Sequence, residues 1–308
     1  MKIRDIRHVG LLSPAVAAHT DYYLKVWGLR SAGEDRQARY LRAASTGRHV
    51  LSLHTADRIG LHHLAFSLDG RDAVDAAAAE LERRGTTLVA QPGDLDEPGG
   101  GYGLRFLDPE NRCIELSAGV AEPPNDRSAG NVAPRGLCHV GLNTRWFEKV
   151  VAFYTDILGF RVSDRIEDRM AFLRCGRRHH VIVLSRGDYA SVNHVAYVMA
   201  NVDDVMRGVS NLRAMGHEPA WGPGRHGPGN NIFCYYRDPA GYVNEFSSDI
   251  EYIADEATHK PAVWKRAPET ADVWGTAGAP GPGVRKAMAG DPDPGWAAKD
   301  VKAAGGNG

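Results

Sequence analysis

RHVGLLSP, at Arg7–Pro14, is answered by CHVGLNTR at Cys138–Arg145. His8 and His139 stand 131 positions apart. The same offset carries DYYLKVWGLR (Asp21–Arg30) onto AFYTDILGFR (Ala152–Arg161). It also carries RHVLSL (Arg48–Leu53) onto HHVIVL (His179–Leu184), and HHLAF (His62–Phe66) onto NHVAY (Asn193–Tyr197). With one residue deleted, FLDPENRCIEL (Phe106–Leu116) maps onto YRDPAGYVNEF (Tyr236–Phe246). The period far exceeds the roughly 20–50 residues of a solenoid repeat, so a whole domain has been duplicated in tandem.

Working outward, the reading divides the chain into a domain at 1–120, a linker at 121–135, a second domain at 136–253 and a tail at 254–308. Gly119–Arg135 is rich in Pro, Gly, Asn and Ser without periodicity, which is linker composition. The tail is expected to be extended and packed on the body through Trp264, Trp274 and Trp296, with its last dozen residues disordered. Within the first half, Ile6–Leu12, Tyr40–Ala43, His49–His54, His62–Leu68, Leu88–Ala90, Leu104–Leu107 and Cys113–Ser117 read as strands. Val16–Val26 and Asp72–Arg84 read as helices that stop at Gly28 and Gly85. The fold class is therefore α+β, with two βαβββ units per half and four in all. Asp108-Pro109 and Asp238-Pro239 mark hairpin turns.

Composition narrows the function. The 308 residues are 43% hydrophobic and 24% charged, with 37 basic and 38 acidic side chains. No basic surplus calls for nucleic acid. No apolar run reaches the roughly 18–20 residues of a membrane span, and the N-terminus lacks a signal-peptide h-region. Four cysteines without a CxxC pair suit neither a disulfide framework nor a zinc site, and point to the cytoplasm. Gly99–Gly103 lacks the strand–helix context of a phosphate loop. No nucleophilic triad signature appears.

The 13 histidines carry the chemistry. His139 and His194 lie on strands, as does Glu245 on the last strand of its unit. Two histidines and one carboxylate form the facial ligand set of non-haem Fe(II) oxygenases, which leaves positions open for substrate and O2. A lone strand histidine is more often a packed polar side chain; three in equivalent strands of a repeated unit are not.

On these residues the sequence resembles the vicinal oxygen chelate superfamily, and within it the two-domain type I extradiol dioxygenases, over roughly Arg4–Ile253. The resemblance implies that each half is a curved mixed sheet forming a barrel-like cup. It implies a metal held by His139 (in CHVGL), His194 (in NHVAY) and Glu245 (in VNEFSSD). It adds catalytic His180 in the HH pair, His226 in the GRH loop and Tyr235 nine residues later, ten before Glu245. By resemblance, Tyr235 stabilises the deprotonated substrate oxygen, His226 orients the substrate, and His180 lies near O2 and transfers a proton. His179 is expected to face the opposite side of the strand. The implied cofactor is Fe(II), although ligand type alone also permits Mn(II). The implied reaction opens the ring of a catechol-type aromatic with O2, in aromatic-compound catabolism, in a homo-oligomer that binds neither nucleic acid nor membrane.

The N-terminal copy retains His8, His63 and Glu115 at the triad positions and His49 opposite His180. His226 and Tyr235 project onto Asp96 and Arg105. This copy reads as a degenerate site, with a retained metal left open. Arg225 and Arg237 flank the motifs, as partners for a substrate carboxylate or as surface residues. The tail segment Pro261–Trp274 either lids the pocket or covers an oligomer surface, and Trp264 and Trp274 are expected to be buried. Two alternatives share the fold: a metal-dependent lyase or isomerase, and a non-catalytic aromatic- or drug-binding protein.

Overall fold

The computed structural model describes residues 1–45, 47–123 and 132–296. The expected disordered end and the middle of the linker lie outside the described residues. The first half builds β1 (Ile6–Ser13), α1 (Val16–Tyr22), β2 (Arg30–Glu34), β3 (Ala38–Arg42), β4 (Leu51–Thr55), β5 (Gly60–Ser67), α2 (Arg71–Arg83), β6 (Leu88–Asp94), β7 (Tyr102–Leu107) and β8 (Cys113–Ala118). The second half repeats this with β9 (Gly136–Thr144), α3 (Phe147–Ala152), β10 (Arg161–Ile166), β11 (Met170–Arg174), β12 (Ile182–Arg186), β13 (Ser191–Val198), α4 (Val202–Ala214), β14 (Trp221–Arg225), β15 (Ile232–Arg237) and β16 (Val243–Ser248). The tail adds β17 (Ala262–Trp264), α5 (Pro268–Ala271) and α6 (Pro282–Ala289), so it is not merely extended.

The strands form two mixed sheets, ordered β2-β3-β4-β1-β5-β8-β7-β6 and β14-β15-β16-β13-β9-β12-β11-β10-β17. Apart from β17, the second is the first repeated. Each half joins its two βαβββ units through an antiparallel central pair, β1–β5 or β9–β13, flanked by parallel pairings. Strand β2, RSAGE, is not apparent from sequence, because it is short and half-exposed and shows no apolar alternation. Helix α2 buries Val74, Ala77, Ala78 and Leu81, the i, i+3, i+4, i+7 stripe of an amphipathic helix. Helix α4 buries Val205, Gly208, Val209 and Leu212 on the same spacing, and its Asn201 cap accepts from the Asp204 N–H. Among the described residues no helix is long and apolar enough to cross a membrane.

The two halves interlock through side chains in and just after their first helices. α1 continues as a π-helical turn, Tyr23–Trp27, ended by left-handed Gly28. Trp27, from the first half, stacks on Phe246 of the second with ring centroids 4.1 Å apart. Reciprocally, Phe153 and Phe160 pack on Phe106 and Phe66. The turn aspartate Asp238 accepts from His19 Nε2 at 2.6 Å and from the Tyr23 hydroxyl at 3.0 Å, all three side chains buried. It also accepts from the backbone N–H groups of Ala240, Gly241 and Tyr242. Tyr242 in turn donates to the Leu12 carbonyl at 2.8 Å. Asp238→Ala leaves several buried donors without an acceptor, each costing about 1–3 kcal/mol. The expected loss is about 3 kcal/mol or more, read from the midpoint of chemical denaturation.

Candidate active site

His139 stands on β9, His194 on the adjacent β13 and Glu245 on β16, beside β13. Three neighbouring strands thus aim three donors at one point. His139 Nε2 lies 3.0 Å from His194 Nε2 and 3.2 Å from Glu245 Oε2, and His194 Nε2 lies 3.5 Å from that oxygen. Donors bound at about 2.1 Å to one ion and at right angles to one another stand about 3 Å apart, so this spacing fits a single cation. Glu245 Oε2 is buried and has no hydrogen-bond partner. Burial pushes the Glu245 carboxyl above the usual range. Burial also pushes His139 and His194 down to about 3, keeping both rings neutral with a lone pair for a metal. Gly141, beside His139, is required by close approach: a Cβ there would sit 2.5 Å from the His194 ring.

Side chains not identified from the sequence hold the ligands in place. Asn231 Nδ2 donates to Glu245 Oε1 and to Ser247 Oγ, both at 3.0 Å. His194 Nδ1–H donates to Asn193 Oδ1 at 2.7 Å, which leaves Nε2 free to ligate. Asn193 Nδ2 donates to Asn143 Oδ1 at 2.9 Å, and Asn143 Nδ2 donates to the Met288 carbonyl at 2.7 Å. The tail helix α6 is thereby tied to a candidate ligand through two amides. Asn193 next to His194 in NHVAY was the visible signal; Asn143, Asn231 and Met288 become neighbours only through tertiary packing.

The other three predicted residues surround the triad. Tyr235 donates to His226 Nε2 at 3.0 Å, because His226 Nδ1–H is committed to the Ala271 carbonyl at 2.8 Å. Burial lowers the His226 pKa and raises that of Tyr235. The His180 ring lies 4.4 Å from that of His139, and burial drives its pKa well down. His179 does not face away: its Nδ1 is 2.9 Å from His180 Nδ1, since the pair precedes β12 and does not alternate within it. Asp164 lies 3.3 Å from His179 Nε2 and favours the proton there. His180 Nδ1–H then donates to His179, and His180 Nε2 keeps its lone pair.

His139, His194, His180, His226 and Tyr235 line a cavity of about 620 Å³ with Phe172, Trp221 and tail residues including Arg266, Pro268 and Met288. The tail therefore forms a wall of the site. Trp264 is half-buried and donates to Asp164, whereas Trp274 is 45% exposed against Arg225. Arg225 and Arg237 do not line the cavity; Arg169, Arg186, Arg266 and Arg285 do.

The N-terminal copy has a different arrangement. His8 Nε2 still meets His63 Nε2 at 2.6 Å. Glu115, however, accepts from Arg105 Nη2 at 2.8 Å and from Arg7 Nη2 at 2.6 Å. Burial alone would raise its pKa, but Arg105 and Arg7 hold it low. Arg105, which replaces the Tyr235 of the other half, thus supplies the positive charge that the His8–His63–Glu115 set would otherwise take from a metal. Glu97, not Asp96, comes near His49, with Oε2 3.7 Å from Nε2.

The Glyoxalase/Bleomycin resistance protein/Dioxygenase superfamily matches residues 5–116 and 136–246. The chain belongs to this superfamily. It is 31% identical to metapyrocatechase 2 of Cupriavidus necator, over 82% of each chain. It is 26% identical to a manganese-dependent 2,3-dihydroxybiphenyl 1,2-dioxygenase of Geobacillus genomosp. 3, over 86% of this chain and 90% of that one. The structure of a Mn(II)-bound glyoxalase from Novosphingobium aromaticivorans is 38% identical and superposes with a TM-score of 0.86, over 92% of this chain and 94% of that one. Further curated relatives include a biphenyl-2,3-diol 1,2-dioxygenase of Paraburkholderia xenovorans and an iron-dependent extradiol dioxygenase of Rhodococcus jostii.

Removing the Asn231 amide frees the Glu245 carboxylate to rotate. Asn231→Ala should weaken metal binding about 10–100-fold, measured by titrating metal-free protein. The buried neutral histidines also set an acid limit. Their pKa values fall from an ordinary 6.5 to about 3 at His49, His54, His139 and His194. The unfolded chain binds protons first, so stability is full above pH 6.5 and is lost as the pH falls toward 3. Each histidine contributes at most about 1.4 kcal/mol per pH unit, and melting of metal-free protein should drop steeply below pH 6.

Proposed function

We propose that the chain is an extradiol dioxygenase that opens the ring of a catechol-type aromatic with O2, using Fe(II) held by His139, His194 and Glu245. The observation that carries this reading is the meeting of His139, His194 and Glu245 at one point beside a cavity that His139, His194, His180, His226 and Tyr235 line. The donor set equally admits Mn(II). In this reading residues 136–253 are the catalytic domain and residues 1–120 a degenerate copy, joined by 121–135 and followed by the tail at 254–308.

When bound, the ion supplies Lewis acidity and an electron path between diol and O2. The protein residues position the diol and move its protons. The walls, Phe172, Trp221 and Pro228, hold an aromatic ring and exclude water. Tyr235, raised in pKa, stays protonated and donates to a deprotonated diol oxygen. His226, fixed by Ala271, accepts the single Tyr235 proton until the hydroxyl turns it to the diol oxygen. His180 Nε2, neutral through burial, accepts a proton from the second hydroxyl and returns it to the product. Diol and O2 together have the composition of the ring-opened product, so no external reductant is needed. Arg169, Arg186, Arg266 and Arg285 on the cavity wall favour a diol with an anionic substituent. The exposed Tyr252, Val263 and Trp274 support a homo-oligomer, and the free cysteines suit the reducing cytoplasm.

A second reading, a metal-dependent isomerase or lyase, has one observation in its favour, the glyoxalase named above. Oxygen separates the two. Iron-loaded protein should consume one O2 per substituted catechol and form a yellow product. His194→Ala should lose both iron and activity, and Tyr235→Phe should lower kcat with iron retained. Turnover under strict anaerobiosis, or no O2 uptake with any diphenol, would replace this reading with the second.

A further inference from the structure

The duplication exposes a difference at three aligned positions. In the second half, Ser185, Asn193 and His194 stand together on β12 and β13. The same register in the first half holds His54, His62 and His63. Leu12 pairs with His54 as Asn143 pairs with Ser185, and Gly10 pairs with His63 as Gly141 pairs with His194. Only His63 has a histidine counterpart. Two further histidines, His54 and His62, stand beside it where the second half has a hydroxyl and an amide.

The three rings form a compact group. His54 and His62 stack with centroids 3.6 Å apart, and His62 Nδ1 is 2.7 Å from His63 Nδ1. One nitrogen from each lies within 4.8 Å of the others. All three line a second cavity of about 1180 Å³, so a solvated ion can reach them. Nearby Arg105 is already neutralised by Glu115. The competing group, His8, His49 and Glu97, is less suited. Its two histidines do not line the cavity, and Glu97 is taken by Arg7.

We propose that the first half binds a second metal ion on His54, His62 and His63, one strand away from the position its duplication would assign. Three imidazoles without a carboxylate select an imidazole-preferring cation such as Zn(II), with an open position for water, and disfavour Mg(II) or Ca(II).

The test is equilibrium dialysis of metal-stripped full-length protein against Zn(II), followed by elemental analysis. The wild type should hold two ions per chain. His54→Gln/His62→Gln and His194→Ala should each hold one, and the triple variant none. His49→Ala should keep two. Zn(II) should raise the melting temperature of His194→Ala but not of the triple variant, with unchanged circular dichroism showing that both are folded. One ion in the wild type, two in the double variant, or loss of the second ion in His49→Ala would overturn the proposal.

Discussion

A carboxylate at the centre of each cup must meet a positive charge. Glu115 and Glu245 are both fully buried on the last strand of their halves, where desolvation of an unpaired anion is prohibitive. The two halves answer the same demand differently. In the first, Arg105 and Arg7 clamp Glu115. In the second, no arginine or lysine pairs with Glu245 among the described residues. The His139 and His194 rings and the Asn231 amide face it, and one carboxylate oxygen has no hydrogen-bond partner. One exchange at the aligned position, Arg105 against Tyr235, separates a carboxylate paired with a guanidinium from one with an unpartnered oxygen.

That constraint organises the rest of the second half. A carboxylate that is to hold a metal must be kept still, and Asn231 holds Glu245 by donating to one of its oxygens. A ligating histidine must present the correct nitrogen, which Asn193 ensures by accepting from the other. The tail joins through Asn143 and the Met288 carbonyl, and the Ala271 carbonyl fixes the His226 tautomer. The segment after β16 thus supports the site as well as covering it. His19 and Tyr23 tie the turn aspartate Asp238 to the first half, and Trp27, Phe153 and Phe160 pack across the halves, so the two cups share a core.

Much of this was legible in the chain. The 131-residue offset predicted the repeated topology, and the resemblance to extradiol dioxygenases implied which six histidine, glutamate and tyrosine side chains would converge. Strand β2 was not legible because a half-exposed edge strand has no apolar period to display. The orientation of His179 was not legible because the pair precedes β12, where strand alternation does not hold. The arginines lining the cavity were not seen, since Arg169 and Arg266 reach it from loops far apart in sequence.

The sequence by itself determined the duplication, the α+β class and the identity of the converging triad, because a repeated pattern aligns equivalent positions without any coordinates. Only the tertiary structure decided what each ligand faces. Whether Glu115 meets a metal or a guanidinium, and whether His62 is a neighbour or a ligand, depends on distances across strands that are remote in the chain. Such contacts have no period and leave no local signature.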